Sequence, residues 1–261
     1  MNIVNILLIL LVAFLAGVEG ILDEFQFHQP IIACTLIGLV SGEVQAGILL
    51  GGCLQMITLG WANIGAAVAP DVALASIASS LFMVISGQGV DAVYLAIAIA
   101  IPLAMLGTTL TNIVRKMTIN LVHHMDEEAE KANPKGIAKW HMLAVCLQGL
   151  RVMIPAAIIL CIPSAWIASF VEWLPAWFME SMKIAAGLVV AVGYGIVMNV
   201  LGTKEMIPFF IMGFVFAMIS ELSLFALGCM AFAIAIVYLY LSEKGSSSSS
   251  DDPLGDILED Y

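Results

Sequence analysis

Two short polar segments interrupt an otherwise apolar chain, and their side chains have the chemistry to bind a neutral polyol. The first, residues 22–30, reads LDEFQFHQP, and the second, residues 60–71, contains Trp61, Asn63 and Asp71. Carboxylates accept hydrogen bonds from hydroxyl groups, and amides both donate and accept them. Such groups are costly inside a bilayer unless they face protein or a cavity. The pattern therefore predicts a polar site enclosed by apolar helices.

The spacing of the first segment suggests how its side chains could converge. If a helix continues through Glu19, Asp23 and Gln26, intervals of four and three residues place them on one face. Gln29 follows three residues later, just before Pro30, which biases the chain out of the helix. We expect one narrow strip that carries two carboxylates and two amides.

The second segment supplies groups that could complete a pocket. Trp61 offers an apolar ring face on which a pyranose could lie, and Asn63, Gln55 and Asp71 could close a ring of hydrogen bonds.

The alternative to a binding pocket is a turn at the membrane edge without a binding role. In that interpretation Asp23 and Glu24 mark the turn and His28 is a solvated neighbour. The spacing favours the pocket, and the alternative stays open at this stage.

Arg151 lies deep in the apolar run that begins at Trp140. At 1.5 Å per residue it is roughly 16 Å from the start of that run. An arginine at such depth is expected to pair with a carboxylate or a carbonyl, or to extend its charge to the interface. We expect structural pairing.

Composition identifies a membrane protein. Of the 261 residues, 62% are hydrophobic and 11% are charged, whereas soluble domains are about half apolar and a quarter charged. The apolar runs cover residues 3–22, 30–59, 61–85, 92–114, 141–170, 184–201, 206–220 and 222–241. We predict an all-α, multi-pass protein of the cell membrane, with a membrane-embedded domain over residues 1–242.

Several classes of function find no support in the sequence. The net charge is −11, and no basic, aromatic-rich patch suggests nucleic-acid binding. The five cysteines lack CxxC or Cys/His spacing, and hydrolytic motifs are absent. We therefore predict no catalytic residue, metal site or cofactor.

The segment between residues 114 and 140 is predicted to be a cytoplasmic loop. It holds five of the nine basic residues, and basic loops stay on the cytoplasmic side. Its middle should form a short helix that ends near Asn133 and Pro134. The segment is either a simple connection or a docking surface for a cytoplasmic partner.

The two hydrophobic halves on either side of this loop suggest an internal structural repeat, a common plan in transporters. The run 30–59 is broken near residues 42–47, which indicates a re-entrant hairpin or a broken helix. Residues 243–261 form a serine-rich and acidic tail that is predicted to be disordered.

Four segments resemble the membrane component IIC of the mannose-type (mannose/fructose/sorbose) sugar phosphotransferase system. They are residues 22–30, residues 59–71 (LGWANIGAAVAPD), residues 147–155 (LQGLRVMIP) and residues 193–195 (GYG). The likeness extends from about residue 3 to residue 242.

The resemblance implies a sugar-translocating subunit that works with a second membrane subunit, IID. It further implies cytoplasmic IIA and IIB phosphocarriers, a hexose substrate such as mannose or glucose, a trimer of IIC–IID heterodimers, and use of the complex as a receptor by pediocin-like bacteriocins. Asp23, Gln26 and Asn63 match positions expected to touch sugar. Gln55 stands where the family pattern has Glu, so any role that requires a charge there is not carried over.

Our interpretation is a permease subunit that moves hexose for phosphorylation by IIB. The residues predicted to bind sugar are Asp23, Gln26, Gln29, Trp61 and Asn63, with Glu19, Gln55 and Asp71 in support. One alternative is an ion-coupled secondary transporter that uses Glu19 or Asp23 as a proton carrier. Another is a membrane scaffold or receptor that transports nothing.

Overall fold

The computed structural model describes residues 2–59, 61, 69–219 and 221–247, and their regular structure is entirely helical. These residues form ten α-helices: α1 (Ile3–Leu22), α2 (Pro30–Ser41), α3 (Val44–Thr58), α4 (Val72–Ser86), α5 (Val93–Glu130), α6 (Pro134–Leu160), α7 (Ser164–Trp173), α8 (Ala176–Leu201), α9 (Ile207–Ala217) and α10 (Leu224–Ser247). Short 3₁₀ turns precede α5 and α9.

Four of the described helices are long and apolar enough to cross a membrane. They comprise α1, α5 with its preceding turn, α6, and the Phe225–Ser242 part of α10. A crossing needs about 20 apolar residues, so these helices confirm the predicted all-α membrane protein. The chain divides into two compact units, Met1–Asn199 and Val200–Tyr261.

Helices α2 and α3 form the broken element that the sequence predicts. They contain 12 and 15 residues, or roughly 18 and 22 Å at 1.5 Å per residue, which is shorter than the ~30 Å hydrocarbon layer. Gly42 ends α2 in the left-handed region at φ 86°. A Cβ on Gly38 would lie 2.7 Å from the Glu43 carbonyl oxygen, and one on Gly47 would lie 2.6 Å from that of Cys34. Only glycine permits this close pairing.

Helix α4 is the most enclosed element of the first unit. Ser76, Ser79 and Ser80 are fully buried, and each hydroxyl donates to a main-chain carbonyl three or four residues earlier in the helix. Polar side chains in an apolar interior need such partners. Apolar side chains of α1, α2 and α6 pack with α4 in one core cluster.

The predicted cytoplasmic loop is helical over most of its length. Helix α5 runs on to Glu130, and α6 begins at Pro134 after a turn in which Ala132 has φ 50°. The prediction of a helix end near Asn133 and Pro134 is confirmed, although that helix is the end of α5 and not a short separate one. The cytoplasmic location of residues 114–140 stays a prediction. Charged Glu and Lys are good helix formers, so a charge-rich stretch continues a helix that an apolar stretch has begun.

The second unit contains α9 and α10, whose side chains line most of an open apolar pocket of about 510 Å³. Helix α10 reaches Ser247, so the prediction of disorder is wrong for residues 243–247. The remaining tail, residues 248–261, lies outside the described residues. The internal repeat stays a prediction.

Candidate functional site

The first polar segment forms a turn between α1 and α2. Helix α1 ends at Leu22, and Asp23 adopts the left-handed conformation at φ 57° while its N–H donates to the Glu19 carbonyl at 2.9 Å. The predicted strip along one helix face is therefore wrong. The physical cause is local, because the Glu19 carboxylate accepts the N–H groups of Glu24 at 3.1 Å and Phe25 at 2.7 Å. That carboxylate is buried and holds the turn from inside.

Asp23 and Gln26 nevertheless come together. The Gln26 side chain donates to the Asp23 carboxylate at 2.8 Å and to the Asp23 carbonyl at 3.0 Å. Gln26 is also left-handed, at φ 60°. The Asp23 side chain is 69% exposed in the isolated chain, so this pair faces outward.

Helix α3 approaches the same turn through an amide pair. The Gln55 side chain donates to the Gln29 side chain at 2.8 Å and accepts the Ile31 N–H at 3.3 Å. Gln29 precedes α2 as its capping residue. The neutral amide of Gln55 makes both of these hydrogen bonds, so its position needs no carboxylate for them.

His28 links the turn to the interior. Its Nε2 lies 3.5 Å from the Asp23 carboxylate and 3.1 Å from the Gln29 amide nitrogen. The side chain is only 13% exposed, so the part of the alternative that made His28 a solvated neighbour is wrong. Its other part, a turn marked by Asp23 and Glu24, is confirmed. Burial lowers the pKa of His28, against the opposing effect of Asp23 and Glu19. The imidazole is thus neutral at pH 7, with one donor and one acceptor.

Behind His28 lies a polar cavity of about 150 Å³. Its polar and aromatic lining comes from His28, Trp61, Asp71, Thr111, Arg115 and Arg151. Of these six residues, only Trp61 and Asp71 were predicted from the sequence to lie at the pocket. Thr111 and Arg115 were missed because they lie on a helix without any local motif.

A buried ion pair forms the floor of the cavity. The Arg151 Nη1 contacts both the Asp71 carboxylate and the Thr111 hydroxyl. Thr111 lies 3.1 Å from the second Asp71 carboxylate oxygen, while the first accepts the Leu74 N–H at 2.9 Å and caps α4. The expectation that Arg151 pairs with a carboxylate is confirmed. Its depth in an apolar run was the signal.

Of the other two predicted residues of the second segment, the structure describes Trp61 but not Asn63. The Trp61 side chain is half-buried and packs against an apolar core cluster, and the main-chain N–H of Trp61 donates to the Thr58 carbonyl at 2.9 Å. Asn63 lies outside the described residues. The structure thus forms a turn cluster (Asp23, Gln26, His28, Gln29 and Gln55) and a cavity, and His28 belongs to both.

Comparison with known proteins settles the family. The family described as the sorbose-specific IIC component of the phosphotransferase system matches residues 3–237. The chain belongs to this family. The mannose-specific EIIC component of Escherichia coli K12 is 44% identical to this IIC chain over 241 residues, covering 92% of this chain and 90% of the relative.

Two solved structures resemble the IIC chain. One, described only as a membrane protein, has a TM-score of 0.78 and 42% identity, covering 94% of this chain and 99% of its own. The other is the cryo-EM structure of the mannose transporter ManYZ in complex with microcin E492, with a TM-score of 0.60, 43% identity and coverage of 94% and 98%. This chain is therefore a multi-pass IIC component of the bacterial plasma membrane.

Proposed function

We propose that this IIC chain translocates a hexose of the mannose or glucose type, which a IIB partner phosphorylates on arrival. The turn cluster carries this proposal, because it combines a carboxylate, three amides and a neutral imidazole within hydrogen-bond reach of one another. Neutral polyols are bound by such mixed donors and acceptors. The mannose-specific relative supports the choice of sugar.

Within this proposal the sugar contacts come from Asp23, Gln26, Gln29, Trp61 and Asn63. The outward-facing Asp23 and Gln26 form the accessible part, and Gln29 is held by Gln55. Glu19, Gln55 and Asp71 support the site by fixing the turn, the amide pair and the start of α4.

The proposed partners are the IID membrane subunit and cytoplasmic IIA and IIB phosphocarriers, in a trimer of IIC–IID heterodimers. The IIC chain carries no phosphotransfer chemistry of its own in this scheme. Phosphorylation removes the neutral sugar from the equilibrium, so inward flux needs no ion gradient. The site must bind with moderate affinity, because tight binding would trap the sugar.

Uptake by whole cells tests this proposal. In cells that lack their own mannose-type system, the chain is expressed with IID and IIAB, and labelled hexose is followed as free sugar and as sugar phosphate. We expect uptake that survives an uncoupler, requires phosphoenolpyruvate and yields sugar phosphate. Asp23→Asn and Asn63→Ala should each lower uptake at least tenfold, whereas Asp91→Asn, in the exposed turn before α5, should not.

The rival functions predict other results. Uptake that collapses with the uncoupler would indicate an ion-coupled transporter. Uptake that the Asp23 and Asn63 substitutions leave intact, or that does not need this chain at all, would indicate a scaffold.

A second role as bacteriocin receptor is favoured by the solved complex of ManYZ with microcin E492. The proposal extends to peptides of the pediocin-like type. Cells that express the chain with IID should become sensitive to such a peptide, and cells that express IID alone should remain resistant.

A further inference from the structure

Two residues that line the polar cavity each carry a buried side-chain atom without a hydrogen-bond partner. Among the described buried side-chain atoms, four lack a hydrogen-bond partner: His28 Nδ1, Ser41 Oγ, Gln148 Oε1 and Arg151 Nε. Two of these four belong to residues that line the polar cavity. Buried polar atoms are nearly always paired with protein, water or ligand, so an occupant with complementary groups would find hydrogen-bonding partners in these two residues.

The charges around the cavity favour an uncharged occupant. The charge of Arg151 is already balanced by Asp71, and burial keeps His28 neutral at pH 7. Arg115, the third charged residue of the lining, is exposed, so at the buried end of the cavity an anion would meet Asp71 and a cation would meet Arg151. Hydroxyl groups suit both orphaned atoms because each hydroxyl donates and accepts.

The volume and walls fit one edge of a sugar. A space of about 150 Å³ equals roughly five waters at ~30 Å³ each, which accommodates part of a hexose ring with its hydroxyl groups. Trp61 supplies an aromatic wall, and aromatic rings cover the apolar face of a ligand while its polar edge stays paired.

One side chain, His28, borders both the cavity and the proposed sugar site. The Nε2 of His28 faces Asp23 and Gln29 in the turn cluster, while the same residue lines the cavity beside Arg151. A ligand that rests on the turn cluster therefore lies beside a side chain that also borders the cavity of Arg151. Arg151 is 7% exposed, so its geometry is fixed before a ligand arrives.

We propose that this cavity is an inner subsite of the sugar site, in which His28 and Arg151 each hydrogen-bond a different hydroxyl group of the hexose. This inference rests on the proposed function and adds two contacts that the sequence motifs did not reveal. Water fills the subsite between transport cycles.

Mono-deoxy sugars test the subsite directly. The IIC–IID complex is purified in detergent, and the affinity for the parent hexose and for each mono-deoxy analogue is measured by calorimetry. His28→Ala should weaken parent binding about tenfold, which corresponds to ~1.4 kcal/mol. One deoxy analogue should bind wild type and His28→Ala equally, because the hydroxyl that His28 contacts is already missing.

Arg151→Lys provides the second arm. Lysine keeps a positive charge for Asp71 but lacks the planar guanidinium donors. The Arg151→Lys variant should bind the parent sugar more weakly than wild type does. It should bind one deoxy analogue, different from the one that identifies the His28 contact, with the same affinity as wild type. His141→Ala, on an exposed stretch of α6, is the matched control and should bind all the sugars like wild type.

Two outcomes separate the claims. If His28→Ala lowers the affinity for every analogue by the same factor, or by none, the subsite is overturned while sugar binding by the turn cluster stands. If wild type binds no hexose, the proposed function and the subsite fail together.

Discussion

At the scale of single residues, the buried carboxylate of Glu19 has a role that its sequence position concealed. Spacing placed it beside Asp23 and Gln26 on a helix face, as a support for ligand binding. In the fold it accepts the N–H groups of Glu24 and Phe25, and so shapes the turn that presents the other polar groups. Charge-assisted hydrogen bonds of this kind are stronger than neutral ones.

Glu19→Gln should therefore destabilise the turn between α1 and α2 without abolishing sugar transport. Replacing the carboxylate removes the charge from two hydrogen bonds, at about 1.5–3 kcal/mol for bonds to charged groups. We expect a lower melting temperature of the IIC–IID complex and a moderately raised Kd for hexose. The exposed Glu24→Gln is the control and should change neither. Unchanged stability with loss of uncoupler-sensitive uptake would instead identify Glu19 as a proton carrier.

At the scale of elements, the Asp71–Arg151 pair joins three helices. Asp71 caps α4, Thr111 comes from α5 and Arg151 from α6. The Asp71 N–H also donates to the Ala104 carbonyl on α5 at 3.1 Å. The end of the segment that carries Trp61 is thereby fixed against the long helices.

A double-mutant cycle measures this junction. Arg151→Gln leaves the Asp71 charge buried and unpaired, which should cost about 3–5 kcal/mol. Asp71→Asn with Arg151→Gln removes both charges and keeps an oxygen that can cap α4, so the double variant should regain most of the loss. Denaturant unfolding of the purified complex gives the free energy of unfolding for the wild type, each of the two single variants and the double variant. Strictly additive changes would show that the two side chains are not coupled.

The sequence predicts the features of these elements that depend on neighbouring residues better than those that depend on residues distant in the chain. The break at Gly42 and the start of α6 at Pro134 were predictable because glycine and proline act locally. The partner of Arg151 was predictable in kind because an isolated buried charge is so unfavourable. The left-handed Asp23 turn was not, because it depends on the Glu19 carboxylate accepting the N–H groups of Glu24 and Phe25. The burial of His28 was not, because the residues that line the same cavity, such as Asp71 and Arg151, are distant in the sequence.

At the scale of the whole molecule, one arginine connects the polar cavity to the predicted topology. Arg115 lines the cavity, and it also begins the segment that holds five of the nine basic residues. Because basic segments stay in the cytoplasm, the cavity should open near the cytoplasmic edge. That is the side on which a phosphocarrier would meet the sugar.

Thiol labelling of single cysteines tests this arrangement in a variant whose five native cysteines are replaced. Lys131→Cys, in the turn between α5 and α6, should react with a membrane-impermeant reagent in inside-out vesicles and not in intact cells. Arg115→Cys should react from the same side and be slowed by hexose, because the sugar occupies the cavity that this residue lines. Lys116→Cys, its exposed neighbour, should react equally fast with and without hexose. Labelling of Lys131→Cys in intact cells would invert the topology, and equal protection of positions 115 and 116 would point to a general conformational change in place of a ligand in the cavity.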